Sequence, residues 1–200
     1  ATPRPNLTER RSVLASGYFP YALIFLIAFV LYGNTLMHDY ALDDSIVITS
    51  NSYTKDGNFG KIFTTDAFEG FFGGKRDLVE GGRYRPLSIA TFAVEWAISP
   101  NNPSFSHFNN IFLYALCGML LFIFLRQIFP EKDPVQWWFG VPFILTLLYL
   151  VHPIHTEVVA NIKGRDELMA LLFLLGGMIA AFKYIDNKQP FWLPIAFLSF

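Results

Sequence analysis

The sequence predicts an all-α polytopic membrane protein: a bundle of apolar helices with a long first extracytoplasmic loop that carries amphipathic helices of its own. Three observations carry this prediction. Of the 200 residues, 53% are hydrophobic and 18% aromatic, including 22 phenylalanines. These residues gather into blocks close to the length that a hydrocarbon core of about 30 Å requires. The ionisable residues fall at the ends of the blocks rather than within them. With 15 basic against 16 acidic side chains, no cationic excess exists to neutralise nucleic-acid phosphates. The single Cys117 lies in an apolar run and offers no disulfide framework.

Residues 1–17 form a tail carrying Arg4, Arg10 and Arg11, and the first span follows at 18–36. A cleaved signal peptide is disfavoured there, because no small-x-small site follows the apolar core. A loop occupies 37–106, and the remaining spans fall within 107–200. These are Phe108–Phe129, Trp137–Val151, Leu168–Tyr184 and a fifth beginning near Phe191. A short loop at 152–167 separates the third from the fourth. Starting at Ala1 and stopping inside an apolar run, the chain reads as the N-terminal part of something larger.

If the spans alternate, Arg4, Arg10, Arg11, Arg126, Lys132, Lys183 and Lys188 fall on one side. That is the positive-inside pattern with a cytoplasmic N-terminus, in a bacterial inner membrane or the membrane of the endoplasmic reticulum. Loops 37–106 and 152–167 then share the extracytoplasmic face. Within the first, seven glycines from Gly57 to Gly82 break the chain into short pieces. Asp66–Phe72 reads as a short interfacial helix. Leu87–Ile98 is apolar but too short to span, and Pro86 suits its first turn.

Chemistry concentrates in three places. Asp43 and Asp44 lie about seven residues past Leu36. A carboxylate there can take a proton from an acceptor hydroxyl or ligate a divalent cation, and the pair can equally be a helix cap or a solvated turn. Arg83 and Arg85, in GRYRPLS, can grip a phosphate; ordinary headgroup contact or an ion pair with Glu80 or Glu95 is the alternative. His152, His155, Glu157, Lys163, Arg165, Asp166 and Glu167 crowd the short loop. Basic residues are disfavoured on that face, so Lys163 and Arg165 suggest an anionic partner; internal pairing of Arg165 with Asp166 or Glu167 is the competing reading. His152 and His155 lack a thiol or a third ligand for zinc. His38 and His107 read as interfacial residues at span ends.

No phosphate-cradling glycine loop, nucleophile elbow or dinucleotide fingerprint occurs. A lipid-borne anionic donor therefore fits better than a soluble nucleotide. Ionisable residues at span ends also argue against a transporter, whose charges would lie at mid-membrane.

LDDSIVI (Leu42–Ile48), RYRPLS (Arg83–Ser88), HPIHTEVVA and GRDELMALLF (Gly164–Phe173) together resemble the N-terminal half of the multi-spanning GT-C glycosyltransferases. The nearest likeness is to the protein O-mannosyltransferase group that carries tetratricopeptide repeats after its membrane region. The resemblance implies a GT-C-like helical bundle and inverting transfer of a sugar, mannose in that group, from a polyprenyl-phosphate donor. The acceptor would be a hydroxyl of protein or glycan on the extracytoplasmic face. It implies Asp43 or Asp44 as base, Arg83, Arg85, Lys163 and Arg165 for the donor phosphate, and His152, His155 and Glu157 lining the substrate pocket. The classical mannosyltransferases carry Asp-Glu where this chain has Asp-Asp. A non-catalytic membrane scaffold that keeps the fold is the alternative reading.

Overall fold

In the computed structural model, residues 17–41, 43–74, 84–130 and 134–199 are described. All regular structure among them is helical. In chain order the α-helices are α1 (Phe19–Tyr32), α2 (Ser52–Lys55), α3 (Phe59–Ile62), α4 (Glu69–Phe72), α5 (Pro86–Ile98), α6 (Pro103–Ile128), α7 (Val141–Val151), α8 (His155–Ala160), α9 (Arg165–Asn187) and α10 (Trp192–Leu198). 3₁₀ turns at Gly33–Met37, Pro134–Phe139 and Ile162–Gly164, and a π-turn at Ser45–Thr49, join several of them.

Among the described residues, three stretches are long and apolar enough to cross a membrane: Phe19–Met37, Pro103–Ile128 and Ile162–Asn187. The expected span at Trp137–Val151 is shorter than the sequence suggested. Its α-helix has only 11 residues, about 17 Å against a core of about 30 Å. Gly140 and Pro142 set its start, and Pro153 ends it by pushing His152 into an extended conformation (ψ 124°). The expected fifth span contains an α-helix of 7 residues. By contrast, α6 starts at Pro103 and α9 at Arg165, both earlier than hydropathy placed them. Each opens with a polar turn that a hydropathy window discounts.

The chain divides into two compact units. The first comprises residues 1–31, 115–152 and 171–200. Here an added Cβ on Gly118 would meet Leu150 at 3.0 Å and Ile24 at 3.2 Å, so the glycine lets α6 pack closely on α7 and α1. Aromatic edges fill the same core, with Tyr21 and Phe143 at 5.5 and 6.2 Å from Phe122 and Trp137 at 4.7 Å from Phe143.

The second unit comprises residues 32–114 and 153–170 and holds most of the residues singled out for chemistry. Its core is Val47, Ile48, Ile62, Ile89, Phe92, Ala93 and Ile162. Asn51, fully buried, organises the first loop. Its Oδ1 accepts from the Tyr53 and Thr54 amides to cap α2, and its Nδ2 donates to the carbonyls of Ile46 and Ala67. Every hydrogen-bonding position of that amide is thus used, which removes the cost of burying it. Helix α5 is apolar on more than one face. Ile89, Phe92 and Ala93 enter the core, while Leu87, Val94 and Ile98 stay exposed.

Candidate active site

The two adjacent aspartates have opposite fates. Asp43 ends a turn and is exposed, whereas Asp44 opens the π-turn and is fully buried. The Asp44 carboxylate accepts from the Ala41 amide at 2.9 Å and from the Lys163 amide at 2.8 Å. Burial raises its pKa above the ordinary carboxylate value, and the two amides only partly oppose this. Asp44 therefore joins the first loop to the 163–166 segment by hydrogen bonds. The aspartates do not present a shared pair to one cation, because Asp44 is engaged by backbone amides and Asp43 Oδ2 accepts from Lys163 Nζ.

The four residues Lys163–Asp166 each do a different task. Lys163 gives its amide to Asp44 and its ammonium to Asp43. Gly164 admits no side chain, since a Cβ there would lie 2.6 Å from the Val158 carbonyl oxygen and 2.9 Å from Val158 Cα. Asp166 pairs with Arg85.

Arg165 is 1% exposed and lies 4.3 Å over the Phe92 ring. It forms a two-pronged ion pair with Glu95, the Nη2–Oε2 arm at 3.2 Å. Its Nε donates to Asn110 Oδ1 at 2.8 Å, Nη1 to Thr91 Oγ1 at 3.1 Å and Nη2 to the Ser106 carbonyl at 3.1 Å. All five guanidinium N–H groups are therefore used internally. Glu95 also accepts from Ser106 Oγ and Asn109 Nδ2, each at 2.7 Å. Asn110 Nδ2 donates to the carbonyls of Asn161 and Ile162. In this arrangement Arg165 has no donor left for a phosphate, and its partner is Glu95 rather than its neighbours Asp166 or Glu167. Arg85 likewise pairs with Asp166, where the sequence suggested Glu80 or Glu95.

Asp43, Arg85, Glu157, Lys163, Asp166 and Glu167 line one polar cleft of about 350 Å³, together with Ile154, Val158, Asn161 and Gly164. Four of the proposed site residues thus meet in one place: Asp43, Arg85, Glu157 and Lys163. Arg83 lies outside the described residues. His155 is half-buried with its ring 5.7 Å from that of Tyr114, and is not among the cleft's lining residues. His152 is exposed and belongs to the first unit. Among the described residues no group of three acidic, histidine or cysteine side chains could hold a metal ion.

The same unit has a second opening of about 510 Å³. Leu87, Ala90, Val94 and Ile98 of α5 form one side, with Phe105, Phe112 and Leu113 of α6 and Met169 of α9 beside them.

Sequence reasoning missed Glu95, Asn110, Gly164 and Asp166 as organisers of this region. Glu95 left a signal: it is the one charge in the apolar stretch Leu87–Ile98, where burial demands a partner.

No family model matches the chain, and no solved structure does. Among curated proteins, human protein O-mannosyl-transferase TMTC1 is 35% identical over 150 residues, which cover 72% of this chain and 16% of that protein. Human TMTC3, also named a protein O-mannosyl-transferase, is 29% identical over 174 residues, covering 84% of this chain and 18% of that protein. Mouse TMTC4, of the same name, is 31% identical over 172 residues, covering 78% and 23%. The chain thus spans about a sixth to a quarter of the length of these relatives. Over most of its own length, it is similar to the proteins named protein O-mannosyl-transferase TMTC.

Proposed function

We propose that this chain forms the catalytic entrance of a membrane-embedded inverting glycosyltransferase. In this reading the whole protein moves mannose from a polyprenyl-phosphate carrier to a serine or threonine hydroxyl of a protein, on the extracytoplasmic face. The observation that supports it best is the cleft, where an exposed carboxylate, Asp43, shares a polar space with the cations Arg85 and Lys163. The names of the relatives add the reaction class, and the apolar opening beside α5 suits a hydrocarbon carrier.

Asp43 is the base in this mechanism and Asp44 its anchor. Asp43 takes the proton of the acceptor hydroxyl while that oxygen bonds to the anomeric carbon. The bond from the anomeric carbon to the phosphate oxygen breaks, and its electron pair leaves on the phosphate. A phosphodiester with one negative charge becomes a monoester with two, so Arg85 and Lys163 stabilise charge that grows along the reaction. Glu157 lies in the same cleft and can accept hydrogen bonds from sugar hydroxyls.

The test is transfer from radiolabelled polyprenyl-phosphate mannose in membranes expressing the full-length protein. Asp43→Asn is expected to lower the rate by about 10²–10⁴ at equal expression. Wild-type rates retained in Asp43→Asn would remove the carboxylate mechanism. A wild type that transfers no mannose and binds no polyprenyl phosphate would favour a scaffold.

A further inference from the structure

Among the described residues, both cations of the cleft are already held by carboxylates: Lys163 by Asp43, and Arg85 by Asp166. The described lining carries four carboxylates (Asp43, Glu157, Asp166 and Glu167) against these two cations. A phosphate entering such a space meets cations whose charge is already neutralised. To take the charge of Lys163 or Arg85 for itself it competes with the carboxylate bonded there now.

The root of Lys163 is fixed while its tip is not. Its amide is bonded to buried Asp44, its neighbour Gly164 is pressed on the Val158 backbone, and the next residue is Arg165 with all five N–H groups engaged. The ammonium sits on four rotatable carbons and can exchange one oxygen partner for another without moving the backbone. While it rests on Asp43, it occupies Oδ2 of the carboxylate that would take the acceptor's proton.

We infer that the Lys163–Asp43 and Arg85–Asp166 pairs form a latch that the donor phosphate opens, so that Asp43 is released to act as base only once the donor is seated. This rests on the donor reading above and adds an order to it: phosphate first, acceptor deprotonation second.

The test is binding of a short-chain polyprenyl phosphate to the full-length protein in detergent. Asp43→Asn removes the competitor for Lys163 and is expected to tighten binding by about threefold, the scale of a partly exposed ion pair, while transfer is lost. The gain should vanish when Lys163→Met is added. Glu167→Gln also removes a carboxylate of the cleft, but one that forms no described ion pair, and should tighten binding less than Asp43→Asn does. Asp166→Asn, which releases Arg85, should tighten binding as Asp43→Asn does, and thermal unfolding checks that each variant is folded. Equal tightening by Glu167→Gln would mean general charge repulsion and overturn the latch. So would a gain in Asp43→Asn that survives Lys163→Met, or no gain in either Asp43→Asn or Asp166→Asn. If wild type transfers mannose and neither variant binds more tightly, the latch alone fails. If wild type neither binds nor transfers, the donor reading fails and takes the latch with it.

Discussion

Lys163 and Arg165 stand two residues apart and each meets a carboxylate, yet the two pairs belong to different physical regimes. Lys163 and Asp43 face a polar cleft, with side chains 19% and 51% exposed. Water competes for both partners, and such a pair is worth at most about 1 kcal/mol. Arg165 and Glu95 have side chains 1% and 11% exposed. Neither charge can recover its hydration there, so the surrounding hydroxyls, amides and carbonyls must supply the missing hydrogen bonds. The exposed pair suits exchange of partners. The buried pair suits permanence, tying α5, α6 and the start of α9 together.

The largest expected effect comes from halving the buried pair. Glu95→Ala strands the Arg165 guanidinium and should cost about 3–5 kcal/mol, seen as loss of folded protein in thermal unfolding of the detergent-solubilised chain. Glu95→Gln keeps an acceptor oxygen and should recover part of that loss. Equal stability of Glu95→Ala and wild type would erase the contrast between the pairs. Next comes Gly164→Ala. Its Cβ meets backbone that cannot swing aside, so α8 or the 162–164 turn must shift. A loss of about 1–3 kcal/mol is expected, the usual scale for overpacking.

Asp44→Asn should follow at about 1–3 kcal/mol, because an amide NH₂ would face one of the two backbone N–H groups that the carboxylate now receives. This variant also isolates a pH dependence. The folded-state pKa of Asp44 is raised above 3.8, so the folded chain binds this proton more tightly than the unfolded one. The contribution from Asp44 therefore declines as pH rises from about 3.8 through the folded value. The margin of wild type over Asp44→Asn should narrow over that window in unfolding measurements. A margin that widens would reverse the sign. The smallest effect belongs to the exposed pairs: Arg85→Ala should change stability by no more than about 1 kcal/mol.

These contrasts also show what could be read from the chain beforehand. Helices α1, α6 and α9 were legible as long apolar runs. The truncation of the third apolar block was visible only in Gly140, Pro142 and Pro153, which hydropathy ignores. The motifs HPIHTE and GRDEL were recognisable, and Asp43, Arg85, Glu157 and Lys163 do converge. What sequence could not resolve was the division of labour between neighbours. Asp43 and Asp44 have the same chemistry and differ only in which one the π-turn directs inward. Arg165 looked like Lys163 because its partner, Glu95, lies 70 positions away, and nothing in a linear pattern links a lone acid in one helix to a base in another.

The Asp44–Lys163 hydrogen bond spans 119 positions of chain. At ~5–20 residues per second of synthesis, the carboxylate emerges roughly 6–24 s before the amide it will bind. For that interval a buried acid of the finished molecule is one without its Lys163 partner in a nascent chain. The cleft therefore closes only after residue 163 has been made, and any factor that holds the first loop open until then would act on its assembly.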